Sequence, residues 1–194
     1  MERDKQKKFS IKPIISHEKR FIYLHIPKNA SSTIRDCLFG RQKELDYIFY
    51  KNVNSYNDYF KFAFFRNPYD RFLSFYKDNL KGDVLNQEEY RPYGQYSKLE
   101  NIDNLINHVI TYDDFELDYH LKPQSWFVDG IDLDFVGNIE NFDNDMIKVR
   151  WLIGAHKPHK HLRQTSDKYT LNNEQKKLIY DRYKIDFERF GYEK

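Results

Sequence analysis

Phe21-Ile22-Tyr23-Leu24-His25-Ile26-Pro27-Lys28-Asn29-Ala30-Ser31-Ser32-Thr33 begins with an apolar, aromatic and β-branched run that holds one histidine and is stopped by Pro27. A run of this kind, bounded by proline, predicts a buried strand over Phe21 to Ile26 entering a turn. Past the turn, Ile34 and Leu38 stand four apart, hydroxyl residues precede them and Gly40 follows. That pattern predicts a helix over Ser31 to Phe39 with a Ser/Thr cap. Strand, turn and helix in this order aim backbone amides at an anion beside the helix N-terminus; small residues let the amides come close, hydroxyls add donors and Lys28 adds a point charge. The alternative is a capped helix start with an exposed lysine. The lysine precedes the small residues and no glycine is present, so the segment is not the G-x-x-x-x-G-K-[ST] loop, and ordinary nucleoside triphosphatase chemistry is disfavoured.

A second segment repeats the plan. Lys61 to Phe65 predicts a strand ending at Arg66, after which Asn67 reads as an N-cap, Pro68 as the first helical residue and Asp70 as a first-turn acid; Phe72, Leu73, Phe75, Tyr76 and Leu80 continue an apolar face. At a strand end, the planar fork of Arg66 can hold a phosphate bidentately, while Ser74 lies about 10 Å further along the helix, so one phosphate touches both only beside that helix. Arg71 reads as a surface ion pair with a nearby acid.

Elsewhere the pattern predicts a short strand over Tyr47 to Tyr50, a loop from Gly82 to Tyr96, a helix over Leu99 to Ile110, a strand over Leu133 to Val136 and a helix over Asn141 to Leu152. Gly154 to Lys168 is basic and irregular, and Leu171 to Phe190 closes the chain as an amphipathic helix with Leu178, Ile179, Tyr183, Ile185, Phe187 and Phe190 as apolar candidates. Strands separated by helices predict an α/β fold with a central, mainly parallel sheet flanked by helices, and such sheets bind ligands at the carboxyl ends of their strands.

The chain of 194 residues suits one domain, with a charged N-terminal extension over residues 1–20 and the domain proper over 21–194. A hydrophobic content of 40% with 18% aromatics supplies enough apolar area to fold, and 32 Lys and Arg against 30 Asp and Glu leave a charge of +2, which implies no nucleic-acid partner. The single cysteine, Cys37, excludes an internal disulfide and a cysteine-based zinc site. No stretch is apolar enough to span a bilayer, so the chain reads as cytoplasmic or as the soluble catalytic domain of a membrane-anchored enzyme. His156, His159 and His161 are close in sequence, yet no cysteine or acid beside them completes a metal site. That segment reads better as a basic loop whose Lys160 and Arg163 meet an anion, with a solvated loop as the bland alternative.

With both turns in view, the chain resembles the sulfotransferases that use 3′-phosphoadenosine 5′-phosphosulfate (PAPS), in the branch that sulfates carbohydrates such as heparan and chondroitin chains. His25 to Thr33 is similar to that family's 5′-phosphosulfate loop, and Arg66 to Tyr76 to its 3′-phosphate segment. His120-Leu121-Lys122-Pro123-Gln124 followed by Leu133 to Glu140 is similar to a stretch in which H-x-x-P-Q precedes D-F-[VI]-G-x-x-E, and Tyr183 to Tyr192 looks like the family's ending. The likeness thus runs from Phe21 to Tyr192. One departure is that family loops commonly carry glycine after the lysine, where Ala30 and Ser31 stand here; those positions are expected to avoid conformations that only glycine takes easily.

The resemblance implies a P-loop-like phosphosulfate loop and an in-line transfer of a sulfuryl group from PAPS to a hydroxyl of a carbohydrate or glycoconjugate, with no metal required. It implies that Lys28, Asn29, Ala30, Ser31, Ser32 and Thr33 hold the 5′ end of the donor, that Lys28 neutralises charge on the bridging oxygen, and that Arg66 and Ser74 take the 3′-phosphate. Lys160 and Arg163 would belong to a loop covering the donor. His25, three residues before Lys28, is the expected general base, with a core histidine bonded to a carbonyl as the alternative; His120 is the second candidate, with a structural role as its alternative. Two rival readings are a P-loop nucleotide-dependent kinase, which should show a Walker lysine and a metal-binding acid, and a non-catalytic carbohydrate-binding protein on the same fold. The aromatic residues Tyr90, Tyr93 and Tyr96 of the 82–96 loop could stack on sugars in either carbohydrate reading.

Overall fold

Phe60–Phe65 is the strand on which the sheet is built, and its sequence explains why: five of its six residues, all but Phe60, are buried, the pattern of a strand with neighbours on both edges and cover on both faces. The computed structural model describes residues 12–40, 45–80, 101–155 and 169–194, which form two compact units, Met1–Phe65 with Phe127–Arg163 and Arg66–Trp126 with Gln164–Lys194.

The first unit holds a five-stranded sheet in the order β3-β1-β2-β4-β5, made of β1 (Ile14–Ser16), β2 (Phe21–Tyr23), β3 (Asp46–Tyr47), β4 (Phe60–Phe65) and β5 (Phe135–Asn138). Strands β2, β4 and β5 run parallel, with Tyr23 opposite Phe62 and Phe62 opposite Phe135. β1 is antiparallel to both β2 and β3, so the sheet is mixed and the expected parallel character holds for three strands. The difference lies in residues assigned above to the N-terminal extension: Ile14–Ser16 form a hairpin with β2 through a tight turn at 17–20, and a three-residue strand with only two apolar residues is too short to be seen by periodicity.

On one face of this sheet Phe21, Tyr23, Phe62 and Phe64 pack with Ile34 of α1 (Ser31–Phe39) and with Phe142, Met146 and Val149 of a later helix, Phe142–Leu152. Ile15, Ile22, Ala63 and Phe65, which point the other way, are buried as well. Strand β5 begins two residues later than expected, because Asp134 ties the end of the preceding segment to Lys61: its amide donates to the Lys61 carbonyl at 2.8 Å and its carboxylate accepts from the Lys61 amide at 2.7 Å.

Gly137 in β5 has a packing role. A Cβ built there would lie 2.6 Å from Cε1 of Phe64, a ring that is 1% exposed and wedged against Phe62 and Phe142. Gly137→Ala is therefore expected to cost about 1–3 kcal/mol, as overpacking of a closed core does. Denaturant unfolding would show it as a lower midpoint with an unchanged slope.

The second unit is helical, built from α2 (Pro68–Leu80), α3 (Ile102–Thr111) and, after α4 (Phe142–Leu152) of the first unit, α5 (Asn173–Phe190). Phe72 and Phe75 of α2, Leu105, Ile106 and Val109 of α3 and Ile179, Tyr183 and Phe187 of α5 share one core. α2 starts as its sequence suggests: the Asn67 side chain accepts from the Tyr69 amide at 2.9 Å, and Pro68 occupies the first helical position, where no amide is needed. α5 starts at Asn173, two residues after Leu171, because Asn172 and Gln175 form a reciprocal capping box at 2.9 and 3.0 Å.

The buried stripe of α5 differs from the expected one. Ile185 is 53% exposed, and the inward positions are Gln175, Ile179, Tyr183, Asp186 and Phe187. A carboxylate thus stands in a helical register that apolar counting fills with isoleucine. Among the described residues no helix is long and apolar enough to cross a membrane.

Candidate active site

In the first unit the chain leaves β2 still paired, the Leu24 amide donating to the Phe62 carbonyl at 2.9 Å, and turns at Pro27 into α1. Because β2 and β4 are parallel, the turn lies at the sheet edge where both strands end. The turn is made by left-handed backbone at two non-glycine residues, Lys28 (φ 67°) and Ala30 (φ 53°), and Ala30, not a serine or threonine, is the N-cap of α1. Both findings correct the sequence reading, which expected a hydroxyl cap and no glycine-like conformation in this loop.

Left-handed backbone costs roughly 1–2 kcal/mol per residue. Opposing it, the Asn29 side chain donates to the Phe64 carbonyl at 2.7 Å, and the Ser31 hydroxyl donates to the Ile26 carbonyl at 2.8 Å, each bond contributing about 0.5–1.5 kcal/mol. The loop is therefore held in a strained form by its own side chains, a condition that concentrates at functional sites. These bonds place both side chains: that of Asn29, 0% exposed, is turned into the protein, and the Ser31 hydroxyl proton closes the loop.

The helix start itself offers further donors to an anion. The amides of Ser31, Ser32 and Thr33 belong to the first turn of α1, that turn contains no acidic residue, Ser32 is exposed, and Thr33 and Lys28 are half-buried. Ala30→Gly tests the strain: relief of the left-handed cost, set against about 0.5–1 kcal/mol of extra glycine chain entropy, is expected to leave stability unchanged or raised by up to about 1 kcal/mol in a thermal melt.

His25 is half-buried just ahead of this turn, with its ring 6.1 Å from that of Tyr23 at an interplanar angle of 19° and its carbonyl accepting from the Tyr50 hydroxyl at 3.2 Å. Burial pushes the Tyr50 and Tyr23 phenols well above their ordinary range, so both stay protonated; beside Tyr23, the Ser31 hydroxyl and the Arg35 charge oppose that shift, although the Tyr23 hydroxyl makes no hydrogen bond of good geometry.

In the second unit Arg66 is the first residue after β4, and its backbone is bracketed by one side chain: Gln124 accepts from the Arg66 amide at 3.0 Å and donates to its carbonyl at 2.8 Å. Ser74, half-buried, lies on α2 between Leu73 and the buried Phe75. Arg71 is not the surface ion pair expected: it is 4% exposed, and its guanidinium donates to the carbonyls of Lys122 at 2.8 Å and His120 at 3.1 Å. The reason is register, since Arg71 falls one turn before Phe75 on the inward face of α2.

His120 lies in the segment Arg71 grips, its ring 6.0 Å from that of Phe75 and its Nδ1 2.8 Å from the Asp118 carboxylate, which also accepts from the His120 amide at 2.8 Å. With Nδ1–H donating to Asp118, Nε2 becomes the lone-pair nitrogen, the arrangement by which a carboxylate orients a histidine base. Asp118 is a residue the sequence reading missed; its only sequence signal is the D-x-H spacing. Lys160, Arg163 and the three histidines at 156, 159 and 161 lie outside the described residues, as does the 82–96 loop. Among the described residues no group of three His, Cys, Asp or Glu side chains is placed to hold a metal.

The family model of the sulfotransferases matches residues 12–193, and the chain belongs to that family. Sulfuryl transfer to an acceptor is the activity this membership carries, and the match takes in β1 as well as the 21–192 span. Among curated proteins and among solved structures nothing matches.

Proposed function

We propose that this sulfotransferase takes its sulfuryl group from PAPS and delivers it to a hydroxyl of a carbohydrate or glycoconjugate. The observation that carries the reading is the Lys28–Thr33 turn: a strained loop feeding the N-terminus of a nine-residue helix whose first turn holds no acid to compete with an anion. The donor's chemistry fits this set. In solution a phosphosulfate is fully anionic and needs amide donors plus one mobile cation at the bridging oxygen, and the backbone amides from Asn29 to Thr33 with the Lys28 ammonium are of that kind. Arg66, held rigidly at its backbone, and Ser74 would take the 3′-phosphate, with Lys160 and Arg163 as further contacts.

In this reading the acceptor oxygen attacks sulfur in line, the bond from sulfur to the bridging phosphate oxygen breaks, and 3′-phosphoadenosine 5′-phosphate (PAP) leaves with the electron pair, Lys28 meeting the charge that develops there. The acceptor proton passes to His25, with His120 and its orienting carboxylate as the other candidate. The carbohydrate class of acceptor rests on the motif resemblance. Calorimetry with PAP and with ATP plus magnesium, followed by transfer of labelled sulfate from PAPS to a panel of glycans, tests the whole. PAP binding without ATP binding and a labelled glycan are the expected results. ATP preference would overturn the donor, and transfer confined to non-sugar hydroxyls would overturn the acceptor class.

A further inference from the structure

Gln124 and Asp186 have no place in the chemistry above, yet both are buried and each makes two hydrogen bonds to backbone groups. Asp186 is 0% exposed, and its two carboxylate oxygens accept separately from the amides of Gln124 at 2.6 Å and Ser125 at 2.8 Å. Gln124, also 0% exposed, turns its side-chain amide onto the backbone of Arg66, using the oxygen for the amide and the nitrogen for the carbonyl. Upstream in the same segment, the carbonyls of His120, Leu121 and Lys122 are taken by Arg71, Tyr183 and Arg71 again, the Tyr183 bond measuring 2.7 Å. The segment from His120 to Ser125 is thus gripped from α2 and α5, and within it the Gln124 side chain reaches back to Arg66 and pairs with both polar groups of that residue's backbone.

We infer that Gln124, fixed by Asp186, is a positioning residue that sets the direction in which Arg66 leaves its strand, and so sets the enzyme's affinity for the 3′-phosphate of its donor. The inference rests on the reading that Arg66 meets that phosphate. The physical reason is that arginine loses most of its advantage over lysine unless its planar fork arrives in register with the phosphate oxygens, and the fork's direction follows from the backbone that bears it. A glutamine amide is the side chain that can satisfy a backbone N–H and C=O of one residue together, as a neighbouring strand would. Asp186 supplies the anchorage because a carboxylate accepting two amides cannot rotate without leaving one of them unbonded.

The test is a double-mutant cycle on the full chain, read by calorimetric PAP binding and by PAPS kinetics. Gln124→Met keeps the volume and removes both bonds to Arg66; it is expected to raise the Kd for PAP and the KM for PAPS about tenfold or more, with the loss falling in KM and not in kcat. In an Arg66→Ala background, which retains the backbone but has no fork to aim, the same substitution is expected to change PAP affinity less than twofold. Gln124→Glu, which keeps the acceptor and loses the donor, serves if the methionine variant unfolds. A Gln124 effect of equal size in both backgrounds would show general structural damage and overturn the inference. Unchanged PAP affinity in both Gln124 variants would overturn it too, while a wild-type chain that binds PAP keeps the donor reading intact. Failure of the wild-type chain to bind PAP would remove the donor reading itself.

Discussion

His25→Ala is expected to lower kcat for sulfuryl transfer by about 10²–10⁴, the contribution a positioned general base makes, while PAP affinity stays within about twofold. The expectation follows from where the histidine stands. Leu24 before it continues the β2 pairing past the ladder, the His25 carbonyl is held by Tyr50, and its half-buried ring lies over Tyr23 directly ahead of the turn that starts α1. Removing the imidazole leaves those backbone contacts in place, so folding and donor binding should survive. Single-turnover transfer of labelled sulfate, with melting curves on the same samples, checks it. His120→Ala is the matched control: if that variant loses the larger factor and His25→Ala turns over normally, the base is His120 with Asp118 as its orienter, and the assignment to His25 is wrong. Lys28→Ala should fall between wild type and the base variant, by about 10²–10³, because it removes one charge-stabilising donor from the leaving oxygen.

Asp186→Ala is expected to destabilise the fold by about 3–5 kcal/mol, the cost of removing one partner from a buried charged network. It strips the Gln124 and Ser125 amides of their acceptor and leaves the Arg71 guanidinium, 4% exposed, without the carboxylate whose charge favours it. For a chain of this size each kcal/mol moves Tm by about 2–4 °C, so the melt should fall by about 6–20 °C. The contrast is Asp181 on the same helix, whose 2.7 Å pair with Lys177 joins side chains that are 53% and 75% exposed; Asp181→Ala should leave the melting temperature nearly unchanged.

Burial, opposed by the two amides and by Arg71, leaves the Asp186 carboxyl above its ordinary 3.8. In the window that opens at 3.8 the folded state then binds more protons than the unfolded one. The contribution of this group to stability accordingly falls as pH rises through that window, the reverse of a salt-bridged surface carboxylate. Asp186→Asn should abolish that slope in pH-dependent unfolding; an unaltered slope would assign it to another group.

Several elements were readable in advance because their causes are local. α1 ends where Gly40 permits a left-handed exit at φ 65°, and α2 begins where Asn67 and Pro68 supply a cap and a fixed φ. β4 is an apolar run that fits no other element. The order of motifs along the chain likewise pointed to the sulfotransferases, and the match over residues 12–193 bears out that family, without reaching the donor or the branch.

What sequence could not supply are the features whose partners lie far along the chain. A charged residue on a surface helix and one in a core are the same letter: Arg71 is bound to carbonyls 49 and 51 residues away, and Asp186 to amides 61 and 62 residues away. The antiparallel strand β1 was missed for the same reason, since three residues become a strand only when neighbours accept them, here β2 on one side and β3 on the other. The opening turn shows both sides. Composition alone marked Lys28 to Thr33 as an anion cradle, but only the folded chain decided that Ala30 caps the helix in a left-handed conformation and that Asn29 and Ser31 hold the loop shut, because those choices are set by the carbonyls of Phe64 and Ile26 that the sheet brings within reach.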